Sequence, residues 1–441
     1  QVEPGEIRSR FDATPPQGGD SIADLLEVLD SDVLPGVTQV QHPMHFGWFP
    51  ANASRASVLG DIASSGVGSL GISWESSPAL TEVEEVVCDW MRQLVGLGEA
   101  WQGTIHDTAS TACLVALLVA RERASDLSQN HGGIQGLDAP LIVYTSPHAH
   151  SSVAKAALLA GYGWDNIRSI ECDDEMSMRP DALADAIERD VAHGAVPAVI
   201  VASVGTTGTT AMDPVAEIVA AAEPRGVFVH VDAAMAGSAM LLPERRHLWD
   251  GVERADSISW NPHKWMGTIL DTSLFYMRDI DLLTRVMSTN PTYLQSAADG
   301  AVTQFRDWGV PLGRRFRALK LLFHLRVDGI DAIRRRIRRD LENADWLASQ
   351  VAAADEWDVV APVSLQTVCV RHRPEGLTGT SLDEHTRRWV GTINQSGAAY
   401  LTVSKIEDGC MARVSIGVET TERHHVEQMW EMMKQAAAQS A

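Results

Sequence analysis

VFVHVDAAMAGSAMLLPERRHLWDGVERADSISWNPHKW, residues 227–265, is the stretch that decides the fold. Its first run, VFVHVDAA (227–234), is β-branched and nearly continuous, the pattern of a strand covered on both faces of a sheet. That run delivers Asp232 at its carboxyl end. A second run, DSISWNP (256–262), stops at Pro262, which cannot donate to a ladder, and sets Lys264 just beyond it. Ligands of open parallel sheets bind outside the carboxyl ends of the strands, so Asp232 and Lys264 are expected to face one crevice although 32 residues separate them.

Working outward, similar runs recur at PLIVYTS (140–146), AVIVASVG (198–205) and TSLFYMR (272–278). Helical patterns such as SSVAKAALLAG and MDPVAEIVAAAEPRG lie between them, so the architecture is α/β with a mainly parallel sheet. Residues 81–97 and 108–123 read as helices, each behind a capping residue. The first 35 residues are polar and rich in Pro and Gly, as an arm that wraps another surface would be. After Gly313 comes a helical region, then alternating runs (TVCVRH, AYLTVSKIE, CMARVSIGV) and a last helix from Thr421, a compact α+β lobe. The expected division is an arm over 1–40, a large domain over 41–325 and a small C-terminal domain over 326–441.

Composition narrows the function classes. The chain has 441 residues, 45% of them hydrophobic and 21% charged, an ordinary globular balance with no repeat or low-complexity tract. Its formal charge of -22 repels nucleic acid and acidic membrane faces. The basic run at 334–339 sits in IRRRIRRDLENADWLASQV beside Asp340 and Glu342 and reads as a solvated helix face rather than a binding patch. Five scattered cysteines (Cys88, Cys113, Cys172, Cys369, Cys410) suit a reducing compartment and argue against a disulfide or zinc framework. The longest apolar stretch, 112–120, is far short of the roughly 20 residues that span a bilayer, and the first residues form no signal-type apolar core, so the expectation is cytoplasmic.

A lysine and an aspartate converging on one crevice suit pyridoxal phosphate: the amine links to the aldehyde, and the carboxylate keeps the pyridine nitrogen protonated. Singly, each has a plainer reading, Asp232 as the cap of a turn and Lys264 as a surface charge. The phosphate needs a cradle, and His106-Asp107-Thr108-Ala109-Ser110-Thr111-Ala112 opens an apolar helix whose free N–H groups and dipole make an anion site. The same residues also fit an ordinary N-cap worth about 1 kcal/mol. A second hydroxyl cluster, Gly205-Thr206-Thr207-Gly208, follows another strand towards the same crevice. His150, after the strand at 140–146, reads either as an imidazole stacked on the cofactor ring or as a helix-start histidine. His148 and His150 lack the accompanying carboxylates or cysteines of a metal site, so no metal is expected.

In this order, HVDAAMAGSA, ADSISWNPHKW and WGVPLGRRFRALK make the sequence resemble the group II pyridoxal-phosphate decarboxylases, the aromatic L-amino-acid decarboxylase family of the type I aminotransferase fold, from about His42 to the end. The resemblance implies a seven-stranded, mainly parallel sheet and a homodimer with active sites at the subunit interface. It makes Lys264 the Schiff-base lysine, Asp232 the partner of the pyridine nitrogen, Ala234 a ring contact and His150 the stacked residue. Thr108, Ala109, Ser110, Asn261 and His263 match the phosphate neighbourhood, and Thr207 the threonine near the ring.

A mobile loop at about 287–307, from the partner subunit, would bring Tyr293 to protonate the carbon that loses CO2, with His150 as relay. Trp48, Phe49 and Pro50 would build the substrate pocket with Leu70 and Ile72 of the other subunit, and with Gly313. Aldehyde-forming relatives typically lack this tyrosine or this histidine, so keeping both points to plain decarboxylation of a tryptophan, tyrosine, phenylalanine or DOPA type of substrate to the amine and CO2. Gly313 leans towards an indole. The sequence departs from several relatives in having Ile72 where they have Phe and Ala51 where they have Thr, which widens the pocket, and its arm before His42 is shorter. The alternatives are an oxidative aldehyde synthase, a decarboxylase of another amino acid such as histidine, or a non-catalytic scaffold, against which Lys264 and Asp232 argue.

Overall fold

A computed structural model describes residues 2–289, 298 and 300–440. Seven strands form the larger sheet: β1 (Gln102–His106), β2 (Leu141–Thr145), β3 (Ile167–Ser169), β4 (Val196–Ser203), β5 (Phe228–Asp232), β6 (Ser257–Trp260) and β7 (Ser273–Met277). Their order is β1-β7-β6-β5-β4-β2-β3; the pairs from β6 through β3 are parallel, and β7 is antiparallel to both neighbours.

The near-continuous apolar runs have a simple cause. Along β5 and β4, Val229, Val231, Ile200 and Ala202 enter one core cluster, while Phe228, Val199 and Val201 enter another on the opposite face. With both faces covered, no polar alternation survives. The two strands that sequence reading did not mark, β1 and β3, are the sheet's edges. QGTIH and IRS are short and partly exposed, so they lack that signature.

The expected helices are present at Pro78–Val95 and Ala109–Ala124. A second, antiparallel sheet joins β8 (Trp357–Val359), β9 (Thr367–His372), β10 (Thr402–Ile406) and β11 (Gly409–Ser415) in the order β10-β11-β9-β8. Helices Ile330–Ala352, Gly379–Ser396 and Arg423–Ser440 cover it. Met44 and Phe46 pack into this lobe's core, and Ser415 N–H donates to Phe46 O at 2.9 Å.

Two segments behave differently from that core. No residue of 2–40 is buried, and in the helix Ile22–Val28 the side chains of Ile22, Leu25 and Leu26 are all exposed. The basic run corrects the expectation of a solvated face. Arg338 and Arg339 do pair on the surface with Glu244 and Glu422, but Arg336 turns inward and is bonded to the backbone at Trp265 and Met266. An i+3/i+4 spacing puts it on the buried stripe with Ile333, Ile337 and Asp340, which a count of charges does not reveal. Among the described residues no helix is long and apolar enough to cross a membrane.

Candidate active site

The carboxyl ends of β4, β5 and β6 and the amino ends of two helices close around a cavity of about 230 Å³. Asp232 ends β5, in register with Ser203 of β4 and Ser259 of β6. Its Oδ1 accepts the Ala234 N–H at 3.0 Å, so the carboxylate is oriented by the turn that follows it. Lys264 lies in the turn Pro262–Met266 after β6, where the backbone kinks to φ -97°, ψ -115° at the lysine itself. Its Nζ stands 5.2 Å from the centre of the Phe49 ring. Burial pushes the Lys264 ammonium below its ordinary pKa and the Arg413 charge adds to this, while Asp232 opposes both. The outcome is an amine that loses its proton more readily than a surface lysine, as a nucleophile towards a carbonyl must.

His150 caps the helix Ser151–Leu159: its Nδ1 accepts the Ser152 N–H at 3.1 Å and lies 2.7 Å from Ser152 Oγ. That bond puts the ring proton on Nε2. Burial, then the charge of Lys264, lower its pKa, so the imidazole is neutral at physiological pH. His263 is fixed in the same way, Nδ1 accepting the Thr272 N–H at 2.9 Å, with burial pushing it down to about 4.

The side expected to hold the phosphate is formed by the start of the 16-residue helix Ala109–Ala124. Thr108 stands at its N-cap without making a side-chain cap bond, so the plain capping role is not what its hydroxyl performs. Across the cavity, Gly205 has φ +84°, and a Cβ there would come within 2.7 Å of Ala236 Cβ, so only glycine lets the 205–208 turn approach. Ser203 Oγ and Asn261 Oδ1 line the same cavity and are buried with no hydrogen-bond partner among the described residues. A lysine amine, a carboxylate, a free helix N-terminus with hydroxyls and two unsatisfied buried polar atoms are the complement of pyridoxal phosphate. Residues 4–373 match the family model described as the pyridoxal-dependent decarboxylase conserved domain. The chain belongs to the pyridoxal-dependent decarboxylase family.

The decarboxylase is 36% identical to phenylacetaldehyde synthase of Arabidopsis thaliana over 99% of this chain and 90% of that protein. Among solved structures, it superposes on Oryza sativa TDC with PLP and tryptamine at a TM-score of 0.96, with 36% identity, covering 100% of this chain and 92% of that one. Catharanthus roseus tryptophan decarboxylase in complex with L-tryptophan gives 0.93 and 34%, covering 100% and 93%. The type I fold and the carboxy-lyase class follow from these relatives.

Within this decarboxylase the cavity brings together Thr108, Ala109, Ser110, His150, Thr207, Asp232, Ala234, Asn261, His263, Lys264 and Phe49. It does not bring in Trp48, Pro50, Leu70, Ile72 or Gly313. The exposed Trp48 packs on Tyr400, 5.2 Å between rings; Pro50 lies against Gly417, and Leu70 against Gly313. Tyr293 lies outside the described residues, and of the 287–307 segment Phe305 and Arg306 are buried.

Sequence reading missed Ser152, Ser203, Met235 and Arg413. Ser203 ends a buried strand, the position that marked Asp232, so the same rule applied to β4 finds it. Arg413 gives no such signal, being one charge in the alternating run CMARVSIGV. It donates to Gly208 O at 2.7 Å, and its guanidinium lies 5.1 Å from the Phe49 ring centre. Among the described residues, no group of three His, Cys, Asp or Glu is placed to hold a metal ion.

Proposed function

We propose that this decarboxylase removes CO2 from an aromatic L-amino acid of the tryptophan, tyrosine, phenylalanine or DOPA type and releases the amine. The observation that carries the reading is the convergence of Lys264, Asp232 and a neutral His150 on one cavity, in a chain similar to enzymes named for aromatic substrates. Lys264 would hold the cofactor covalently, Asp232 its ring nitrogen, and Thr108, Ser110, Asn261 and His263 its phosphate. Once bound, pyridoxal phosphate supplies an electron sink for the pair left behind as CO2 departs.

The chain's own residues supply the rest. Lys264, desolvated, would give up its proton more readily than a surface lysine and so could act as a nucleophile towards a carbonyl. His150 presents a flat neutral face with its proton on Nε2, able to hold a planar ring and to pass a proton on. Tyr293 is the proposed source of that proton. The cavity would fix how the substrate is held, and bound geometry of that kind can favour decarboxylation over transamination.

The second half of the site is proposed to come from a second copy of the chain, in a homodimer. Support comes from the exposed apolar side chains of the arm and from Leu70, Ile72 and Gly313, which stand away from the cavity of their own chain. The five free cysteines support a cytoplasmic location. An oxidative aldehyde synthase is the second reading, favoured by the similarity to phenylacetaldehyde synthase. A panel of L-amino acids, with CO2, amine, aldehyde, ammonia and peroxide all measured, separates the two. Amine equal to CO2 without peroxide is expected; aldehyde with ammonia and peroxide would overturn the proposal.

A further inference from the structure

The turn that carries Lys264 has an unusual backbone and an unusual support. Lys264 leaves helical geometry, at φ -97° and ψ -115°, inside the π-type turn Pro262–Met266, and Gly267 follows at φ +104°. A turn of this kind leaves its last carbonyls without the partners a continuing helix would give them, and it persists only where the surroundings over-determine it. Here Lys264 O accepts the Gly267 N–H at 3.2 Å, and the next two carbonyls are taken by one side chain from a distant part of the chain. Asn52 Nδ2 lies 3.5 Å from Lys264 O, while Arg336 Nη2 donates to Trp265 O at 2.8 Å and to Met266 O.

Arg336 is itself held. One helical turn on, Asp340 is fully buried; its Oδ2 accepts the Trp265 indole N–H at 2.9 Å and faces Arg336 Nη1 at 3.9 Å. Arg339 closes the other side of the same carboxylate, at 3.1 Å from Oδ1. Trp265 is therefore gripped at both its carbonyl and its ring by two residues of one helix, and it is the residue next to Lys264. A Cβ at Gly267 would come within 3.0 Å of Arg336 Nη2, so the guanidinium also packs against the exit of the turn.

Drawing a cation and an anion out of water carries a desolvation cost, and apolar residues of similar volume could fill the space. What this pair supplies, and an apolar pair would not, is a fixed direction for the two carbonyls and for the indole. We infer that Arg336 and Asp340 are positioning residues for Lys264: the helix Ile330–Ala352 sets where the amine stands relative to Asp232. The inference rests on Lys264 being the cofactor lysine, as proposed above.

Charged and titratable groups around Lys264 are Asp232, Arg413, His150 and His263. Moving the amine alters its distance to all four, so the pH midpoint of the visible absorbance of the holoenzyme reports its placement, whereas a loss of stability alone does not move that midpoint. The test compares holoenzyme carrying Arg336→Met, Arg336→Lys, Asp340→Asn and, as a control on the same helix, Arg338→Met at a surface ion pair with Glu244. Arg336→Met is expected to shift the midpoint and to lower kcat by about 100-fold, with KM changed less than about threefold. Arg336→Lys, which keeps a cation but not the two-carbonyl reach, should recover part of both, and Arg338→Met should match the wild type.

A wild-type midpoint with kcat within about twofold in Arg336→Met overturns the inference. Should that variant fail to fold, wild-type values in both Arg336→Lys and Asp340→Asn overturn it equally. Lys264→Ala separates the two levels. If its visible absorbance survives, the reading of Lys264 fails; if the absorbance is lost while the Arg336 variants behave as wild type, only the positioning role fails.

Discussion

The two halves of the expected site are built in different ways. Asp232, Lys264, Ser203 and the 205–208 turn hang from strands buried on both faces, whereas Trp48 and Leu70 are exposed and Ile72 and Gly313 stand outside the cavity. A cofactor half set by the core of one chain can be complete before any partner arrives. A substrate half made of exposed pieces is the part that the proposed second copy of the chain would complete. The prediction is that damage to the first half abolishes chemistry, while damage to the second changes which substrate is used or whether the assembly forms.

Lys264→Ala removes the one amine that the described residues place in the cavity. Turnover should fall by about 10⁴-fold or more in the amine-release assay, with the fold intact by circular dichroism. Asp232→Asn keeps the shape and the Ala234 N–H bond but loses the charge; kcat should drop on the order of 10³-fold. A loss of less than about tenfold would show that the carboxylate has no part in the chemistry.

Buried histidines tie the cofactor half to pH. Burial holds His106 and His324 down at about 3 and His230 and His263 at about 4, against 6.5 for the free side chain. Between pH 6.5 and 4 the unfolded chain takes up protons that the folded chain refuses, so this stability is complete above 6.5 and drains as pH falls through that window. The slope is on the order of 1.4 kcal/mol per pH unit for each histidine. Asp213, buried and pushed up to about 6, runs the other way and offsets one of them. The urea midpoint should therefore be lower at pH 5 than at pH 6.5; equal midpoints would mean that these imidazoles are solvated.

Gly313 tests the other half. A Cβ there would meet only Leu70 Cδ1, at 3.6 Å, an ordinary contact that leaves room for a hydroxyl. Gly313→Ser is expected to leave stability unchanged and to shift the ratio of kcat/KM for tryptophan over tyrosine by about tenfold towards tyrosine. An unchanged ratio would remove Gly313 from the substrate half.

The same contrast explains what could be read in advance. The five central strands, Asp232, Lys264, His150 and the cradle at 108–110 were legible because burial on both faces and strand ends leave marks along the chain. The edge strands β1 and β3 were not, since half-exposed strands of three to five residues carry neither signature. Arg413 and Arg336 were illegible for another reason. An arginine that turns inward is recognised only by what receives it, here Gly208 O for one and the Trp265 and Met266 carbonyls for the other, and those partners lie far away in the chain.

Reducing the holoenzyme with borohydride and mapping the labelled peptide tests the central claim most directly. The account predicts a single pyridoxyl group on the lysine of the NPHKW peptide, with label strongly reduced in Asp232→Asn because the cofactor is held less well. Label on another lysine, or none at all from protein loaded with pyridoxal phosphate, would contradict it.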